Sequence, residues 1–241
     1  MAAVELSRVI LGCMFSERLS EAEVTRIVHA ASDLGITSFD TAPLYGFHRS
    51  EEMLGRALSD RRARVQILTK CGLRWGNASE PAHGRELFSF TDDAGVHIVV
   101  RKDSRPEMLR DEVLGSCERL GTERLDVVQI HHPDVDTKLE DSLEALLTLR
   151  REGVLGAIGV SNFSPEQLLR AQAHVGEGGI AFLQNEYSLL ERWPEAELLP
   201  LCVRTGTGFL AYSPLAKGVL ADAGKKSARA ERASRGSRYD D

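Results

Sequence analysis

The run Leu125-Asp126-Val127-Val128-Gln129-Ile130-His131 is almost unbroken apolar sequence ending in an ionisable residue. A strand buried on both faces reads this way. Six residues on stands Thr137-x-x-Glu140, a capping-box pattern that opens a helix. Leu139, Leu143, Leu146 and Leu147 then share one helical face, and Gly153 is the stop. A second apolar run, Ala157–Val160, follows and ends in Ser161 and Asn162. Strand, helix and strand at this spacing form a βαβ unit, whose two strands lie parallel.

The same rhythm extends in both directions. Apolar runs at Val9–Leu11, Ile36–Phe39, Val65–Leu68, Ala181–Leu183 and Gly208–Ala211 bring the expected strands to seven. Capping-box patterns at Ser20-x-x-Glu23, Ser104-x-x-Glu107 and Ser164-x-x-Gln167 open further helices. Shorter helices are expected at Ser50–Ser59 and Pro194–Arg204, giving six in all. Asp40, Lys70, His131, Ser161, Gln184 and Tyr212 each stand at the end of an apolar run. In a parallel sheet those ends share one face, which is where a (β/α)8 barrel carries its active site. A doubly wound sheet would need a glycine fingerprint after its first strand, and Gly12-Cys13-Met14-Phe15 is none. Gly206-x-Gly208-x-x-Ala211 has the spacing but enters a strand instead of opening a helix. The expected class is therefore α/β, a TIM (β/α)8-type barrel with seven strands recognised.

Two segments break the rhythm. Residues 71–103 are too long for an ordinary connection and hold Trp75, His83, Phe88, Phe90 and His97, with a hairpin expected at His97–Val100. They read as an insertion over the active-site face, with Trp75 as a candidate pocket residue. Residues 222–241 carry Lys225, Lys226, Arg229, Arg232, Arg235 and Arg238 with no aliphatic side chain larger than alanine. They read as a basic, disordered tail after a barrel domain at 1–221. With 42% hydrophobic and 27% charged residues among 241, the chain fits an ordinary globular domain. A net charge of −6 argues against a nucleic-acid binder. The sequence offers no membrane-spanning run, and Cys13, Cys71, Cys117 and Cys202 are too scattered for a disulfide framework or metal site. They suggest reduced thiols in a cytoplasmic protein.

Several motifs resemble the aldo-keto reductase family. They are Phe39-Asp40-Thr41-Ala42-Pro43-Leu44-Tyr45-Gly46 with Ser50-Glu51-Glu52-Met53-Leu54-Gly55, Thr69-Lys70, and Gln129-Ile130-His131-His132-Pro133-Asp134. Gly159-Val160-Ser161-Asn162-Phe163, Gln184-Asn185-Glu186-Tyr187 and Tyr212-Ser213-Pro214-Leu215 continue the series in register. The resemblance implies reduction of an aldehyde or ketone by NADPH, with NADH as an alternative. It assigns Tyr45 as general acid, Lys70 and Asp40 as its helpers, and His131 as the group orienting the carbonyl. The chemistry agrees, since an alkoxide forming during hydride addition needs a proton and a free phenol holds its proton up to a pKa of about 10. A lysine ammonium beside Tyr45 would lower that value, and a carboxylate would keep the ammonium in place. The resemblance also implies nicotinamide contacts at Ser161, Asn162, Gln184 and Tyr212, and pyrophosphate contacts at Ser213, Leu215, Lys217 and Gly218.

Two features depart from the family. His132 stands where much of the family has tryptophan, which predicts an altered pocket wall. An eighth strand and helix, expected beyond residue 230 from a spacing of ~25–30 residues per unit, are not recognisable, nor is a grip for the 2′-phosphate of NADPH. The open edge predicts self-association or a completing chain. Singly, the residues have plainer readings: Asp40 as a turn cap, Lys70 as a surface lysine, Tyr45 packed on Pro43, His131 as a core histidine with His132 the active one. Two other functions stay open, a non-catalytic barrel that binds a metabolite or partner, and a lyase using Lys70 as a Schiff-base nucleophile.

Overall fold

Seven strands pair side by side and all parallel in a computed structural model of the chain, which describes residues 4–15, 19–77, 83–92, 94–176 and 179–221. The elements run β1 (Ile10–Gly12), α1 (Glu21–Asp33), β2 (Ser38–Asp40), α2 (Arg49–Ala57) and β3 (Gln66–Cys71). Then come β4 (Leu73–Asn77), β5 (Glu86–Thr91), β6 (His97–Lys102), α3 (Pro106–Leu120), β7 (Leu125–Ile130) and α4 (Leu139–Arg151). The last are β8 (Leu155–Ser161), α5 (Pro165–Val175), β9 (Ile180–Glu186), α6 (Leu198–Thr205) and β10 (Gly208–Tyr212). The main sheet has the order β1-β2-β3-β7-β8-β9-β10, so β1 and β10 are its two edges and the barrel stays open among the described residues.

Two cores lie on the two faces of that sheet. The larger packs Phe39, Ile67, Val128, Ile158, Val160 and Leu183 against helical residues such as Val24, Leu54, Leu109, Leu143 and Leu168. The smaller joins Leu68, Val127 and Ala157 to Ile10, Phe182 and Leu210, with Val4 and Leu6 from the N-terminal segment. Burial on both faces explains why the strands read as apolar runs without alternation. The α2 and α3 helices approach so closely that a Cβ on Gly55 would lie 2.7 Å from the Arg119 carbonyl oxygen.

Helix starts follow the sequence in part. Ser20 and Ser164 form complete capping boxes with Glu23 and Gln167, and Pro165 opens α5. The boxes expected at Ser104 and Thr137 do not form. The N-caps there are Arg105 and Lys138, without a side-chain hydrogen bond. Asp134 is the cause: its carboxylate accepts from the Ser104 N–H at 2.9 Å and from the Thr137 hydroxyl at 2.7 Å. The expected Pro194–Arg204 helix divides into a 3-10 turn at Trp193–Glu195 and α6. The insertion after β3 differs from the hairpin expected at His97–Val100, which is instead part of one strand, β6. It is a three-stranded antiparallel sheet of order β4-β6-β5. The basic segment 222–241 lies outside the described residues.

Candidate active site

A strand places every second side chain on one face. On the face that carries Leu68, Val127, Ala157, Phe182 and Leu210, the next residues up are Lys70, Gln129, Gly159, Gln184 and Tyr212, then His131 and Ser161. The apolar floor and the polar rim of the half-barrel are thus consecutive layers of the same strands.

Asp40 ends β2 and Lys70 stands beside it on β3. The Lys70 Nζ donates to Asp40 Oδ2 at 2.7 Å and to the Thr41 carbonyl at 2.9 Å, with the lysine side chain fully buried. The other Asp40 oxygen accepts from Gln129 Nε2 at 3.3 Å. Gln129 reaches it from β7 over β3, and Gly159 on its other side leaves room for the side chain, since a Cβ there would stand 2.9 Å from it. Burial works against the Lys70 charge, but Asp40 and then Tyr45 outweigh it and raise the pKa above the usual lysine value. Lys70 is therefore held as an ammonium. Without a free lone pair it is a poor Schiff-base nucleophile, which argues against the lyase reading.

Tyr45 hangs in the turn after β2, tied by its N–H to the Ala42 carbonyl. Phe47 and His48 beyond it have φ values of 51° and 77°, in the left-handed region that few side chains adopt. The Lys70 Nζ sits 4.9 Å from the Tyr45 ring centroid. Yet the phenol pKa is raised, not lowered as expected from the lysine. Burial disfavours the phenolate more than the Lys70 charge favours it. The His131 ring meets Tyr45 edge-on at 6.0 Å.

His131 and His132 stack with centroids 5.4 Å apart. Burial, then Lys70 and His132, push the His131 pKa well below the ordinary histidine value. Burial, then Lys102, push His132 down to about 4. Both rings are neutral at neutral pH. Protons then bind the unfolded chain, and not the folded one, as pH falls from about 6.5, the unperturbed histidine value, towards 4. That favours unfolding. The melting temperature is expected to fall over this window, and His132→Phe should remove part of the fall. Parallel curves for the two proteins in a circular-dichroism pH series would contradict a neutral buried His132.

The expected cofactor residues fall into two groups. Ser161, Asn162, Gln184 and Tyr212 meet on the rim. The Ser161 hydroxyl donates to the Gln184 carbonyl at 2.9 Å, and the Tyr212 hydroxyl to Asn162 Oδ1 at 2.9 Å. The Gln184 side chain is almost buried, and its amide makes no hydrogen bond to the described residues. An amide left open on a rim of amide and hydroxyl groups fits the carboxamide of a nicotinamide. Ser213, Leu215, Lys217 and Gly218 lie in the turn after β10. There the Gly218 N–H is engaged by the Leu215 carbonyl at 2.9 Å, and Lys217 is 69% exposed with its Nζ 3.7 Å from Glu186.

Trp75, on β4, comes to the Tyr45 turn. Its ring lies 4.8 Å from His48 and 5.5 Å from Phe47. Sequence reasoning gave no role to Gln129, although two residues before His131 on one strand means the same face. It also missed Glu51, whose buried carboxylate holds β3 from the helix side through the Thr69 hydroxyl at 2.6 Å and Arg119 at 2.7 Å. Among the described residues no group of histidine, cysteine and carboxylate side chains could hold a metal, and no helix is long and apolar enough to cross a membrane. All four cysteines are buried and free.

A model of the Aldo/keto reductase family matches residues 8–239. An Escherichia coli NADH-specific methylglyoxal reductase is 34% identical over 190 residues, covering 77% of this chain and 54% of its own length. The solved glycerol dehydrogenase of Gluconobacter oxydans superposes with a TM-score of 0.74 at 38% identity, over 89% of this chain and 62% of its own. An aldo-keto reductase of Bacillus halodurans, solved in its holo form, gives a TM-score of 0.75 at 27% identity, over 90% and 65%. The chain spans between about half and two thirds of the length of these relatives.

Proposed function

Because this chain belongs to the aldo/keto reductase family, an enzyme family of oxidoreductases on the TIM-barrel fold, we propose that it reduces a small aldehyde or ketone with NAD(P)H. The observation that carries this reading is the buried Asp40–Lys70 pair beneath Tyr45, with His131 across from it. A buried ion pair is weak evidence for stability, and at a rim of strand ends it is better explained by chemistry.

Each residue then has a task. Tyr45 donates the proton to the forming alkoxide. Its raised pKa keeps the proton on the phenol until it is needed, and the Lys70 ammonium stabilises the phenolate left behind. Asp40, itself held by Gln129, fixes Lys70 in place. A neutral His131 donates one ring N–H to the carbonyl oxygen and polarises it. Ser161, Asn162, Gln184 and Tyr212 hold the nicotinamide, and Ser213, Leu215, Lys217 and Gly218 lie along the rest of the cofactor. Trp75 and His132 border the carbonyl substrate. The bound dinucleotide supplies the hydride, which no side chain can deliver.

The edges β1 and β10, which no strand of the described residues extends, are where a second copy or another polypeptide would continue the sheet. Titrating NADPH and NADH into the purified chain, with methylglyoxal as the first carbonyl probe and light scattering on the same sample, tests both points. Carbonyl-dependent loss of reduced cofactor from an assembly larger than the monomer is expected. No binding of either dinucleotide would leave the non-catalytic barrel as the better reading, and a stable monomer would remove the edge contact.

A further inference from the structure

Asn162 is the residue whose side chain ties the two histidines to the cofactor rim. It follows Ser161 at the end of β8 with φ 62°, in the left-handed region. Its N–H groups and its oxygen are all engaged. Oδ1 accepts from the Tyr212 hydroxyl at 2.9 Å. Nδ2 donates to the His131 carbonyl at 2.9 Å. A carbonyl can only accept, so the nitrogen of the amide must face it, and the amide cannot be turned over.

The same Nδ2 lies 3.3 Å from His132 Nε2 and 3.1 Å from the Ser161 hydroxyl oxygen. Ser161 gives its own proton to the Gln184 carbonyl, so it too faces Asn162 with a lone pair. Two amide hydrogens therefore meet two fixed acceptors and the His132 ring nitrogen. An imidazole carrying a proton on Nε2 would set a donor against a donor. A neutral His132 ring protonated at Nδ1 and presenting a lone pair at Nε2 avoids that clash.

We infer that His132 is a positioning residue: its Nε2 lone pair holds the Asn162 carboxamide in the orientation that the rim presents to the cofactor. This gives the departure from the usual aromatic at this position a function beyond that of a pocket wall. The burial of the ring and the nearby Lys102, which keep it uncharged, support the same protonation state. The consequence for the cofactor rests on the proposed role of Asn162, whereas the hydrogen bond itself does not.

The test uses the whole chain and two variants. His132→Phe keeps a flat ring to stack on His131 and removes the acceptor. His132→Gln supplies an amide oxygen in its place. Long-range proton–nitrogen NMR of the imidazole is expected to show the Nδ1-protonated tautomer at neutral pH. The Asn162 side-chain amide hydrogens should exchange with solvent about tenfold faster in His132→Phe, as one lost hydrogen bond allows, and return towards the original rate in His132→Gln. Affinity for NADH and NADPH should fall about five- to tenfold in the Phe variant and recover in the Gln variant. An Nε2-protonated ring, an imidazolium, unchanged exchange or equal affinity across the three proteins would each overturn the inference. If the unmodified chain binds neither dinucleotide, the reductase reading fails, while the tautomer and the exchange rates still decide the role of His132.

Discussion

Tyr45→Phe is expected to lower the rate of carbonyl reduction by about 10²–10⁴-fold, the usual contribution of a positioned general acid. The substitution deletes one hydroxyl and leaves the ring, its edge-on contact with His131 at 6.0 Å, and the turn that carries it. Dinucleotide affinity should not change, because the expected nicotinamide contacts come from β8, β9 and β10. The electrostatics say why the hydroxyl matters. Burial holds the phenol in its protonated form, so the donor is loaded at neutral pH, and Lys70 lowers the cost of losing the proton. Single-turnover rates with saturating cofactor would measure the effect. A loss of less than about tenfold would remove Tyr45 from the proton-donor role.

Glu51→Ala is expected to destabilise the fold by about 3–5 kcal/mol, the cost of breaking a buried ion pair by removing one partner. Glu51 is 0% exposed on α2. One of its oxygens accepts from Arg119 of α3 at 2.7 Å, and the other from the Thr69 hydroxyl of β3 at 2.6 Å. Alanine would leave a half-buried guanidinium without its counter-charge and a buried hydroxyl without a partner, at the joint of three elements. For a domain of this size the melting temperature should drop on the order of 10 °C. Glu152→Ala is the matched control. Its pair with Arg110 is 41% and 45% exposed on the two sides, and such pairs contribute about 0–1 kcal/mol. Urea unfolding of both variants gives the comparison, and equal losses would show that the Glu51 network carries no special weight. Because Thr69 precedes Lys70, the variant should also loosen the strand that presents the lysine.

The expected strands lie close to the observed ones because the central ones are covered on both faces. Leu125–Ile130 is the expected and the observed run of β7. Ala157–Val160 sits inside Leu155–Ser161, which gains a residue or two at either end where pairing continues past the apolar centre. The polar residues at the strand ends were legible for the same reason. A side-chain period of two and a parallel sheet leave no freedom about where Asp40, Lys70, His131 and Ser161 must gather. The insertion was less legible. The stretch His97–Val100, expected as a hairpin, lies within the single strand β6, and pairing β4 with β6 joins residues some distance apart in sequence, which local pattern does not encode.

By itself the sequence determined the parallel order of strand and helix, the two local capping boxes at Ser20 and Ser164, and the ring of functional groups at the strand ends. These depend on periodicity and on neighbours within one turn. The tertiary structure decided the rest. Ser104 and Thr137 carry the same local pattern as Ser20 and Ser164, yet Asp134 takes the Ser104 N–H and the Thr137 hydroxyl and leaves their helices uncapped. Tyr45 has its helper lysine as expected, yet its pKa moves up, because burial is a sum over every surrounding element and no pair of residues in the sequence reports it. His132 reads as a pocket wall, and only the fold brings Asn162 to its ring nitrogen at 3.3 Å. Charges and hydrogen bonds that act across the sheet depend on three-dimensional distance, which the order of residues along the chain does not contain.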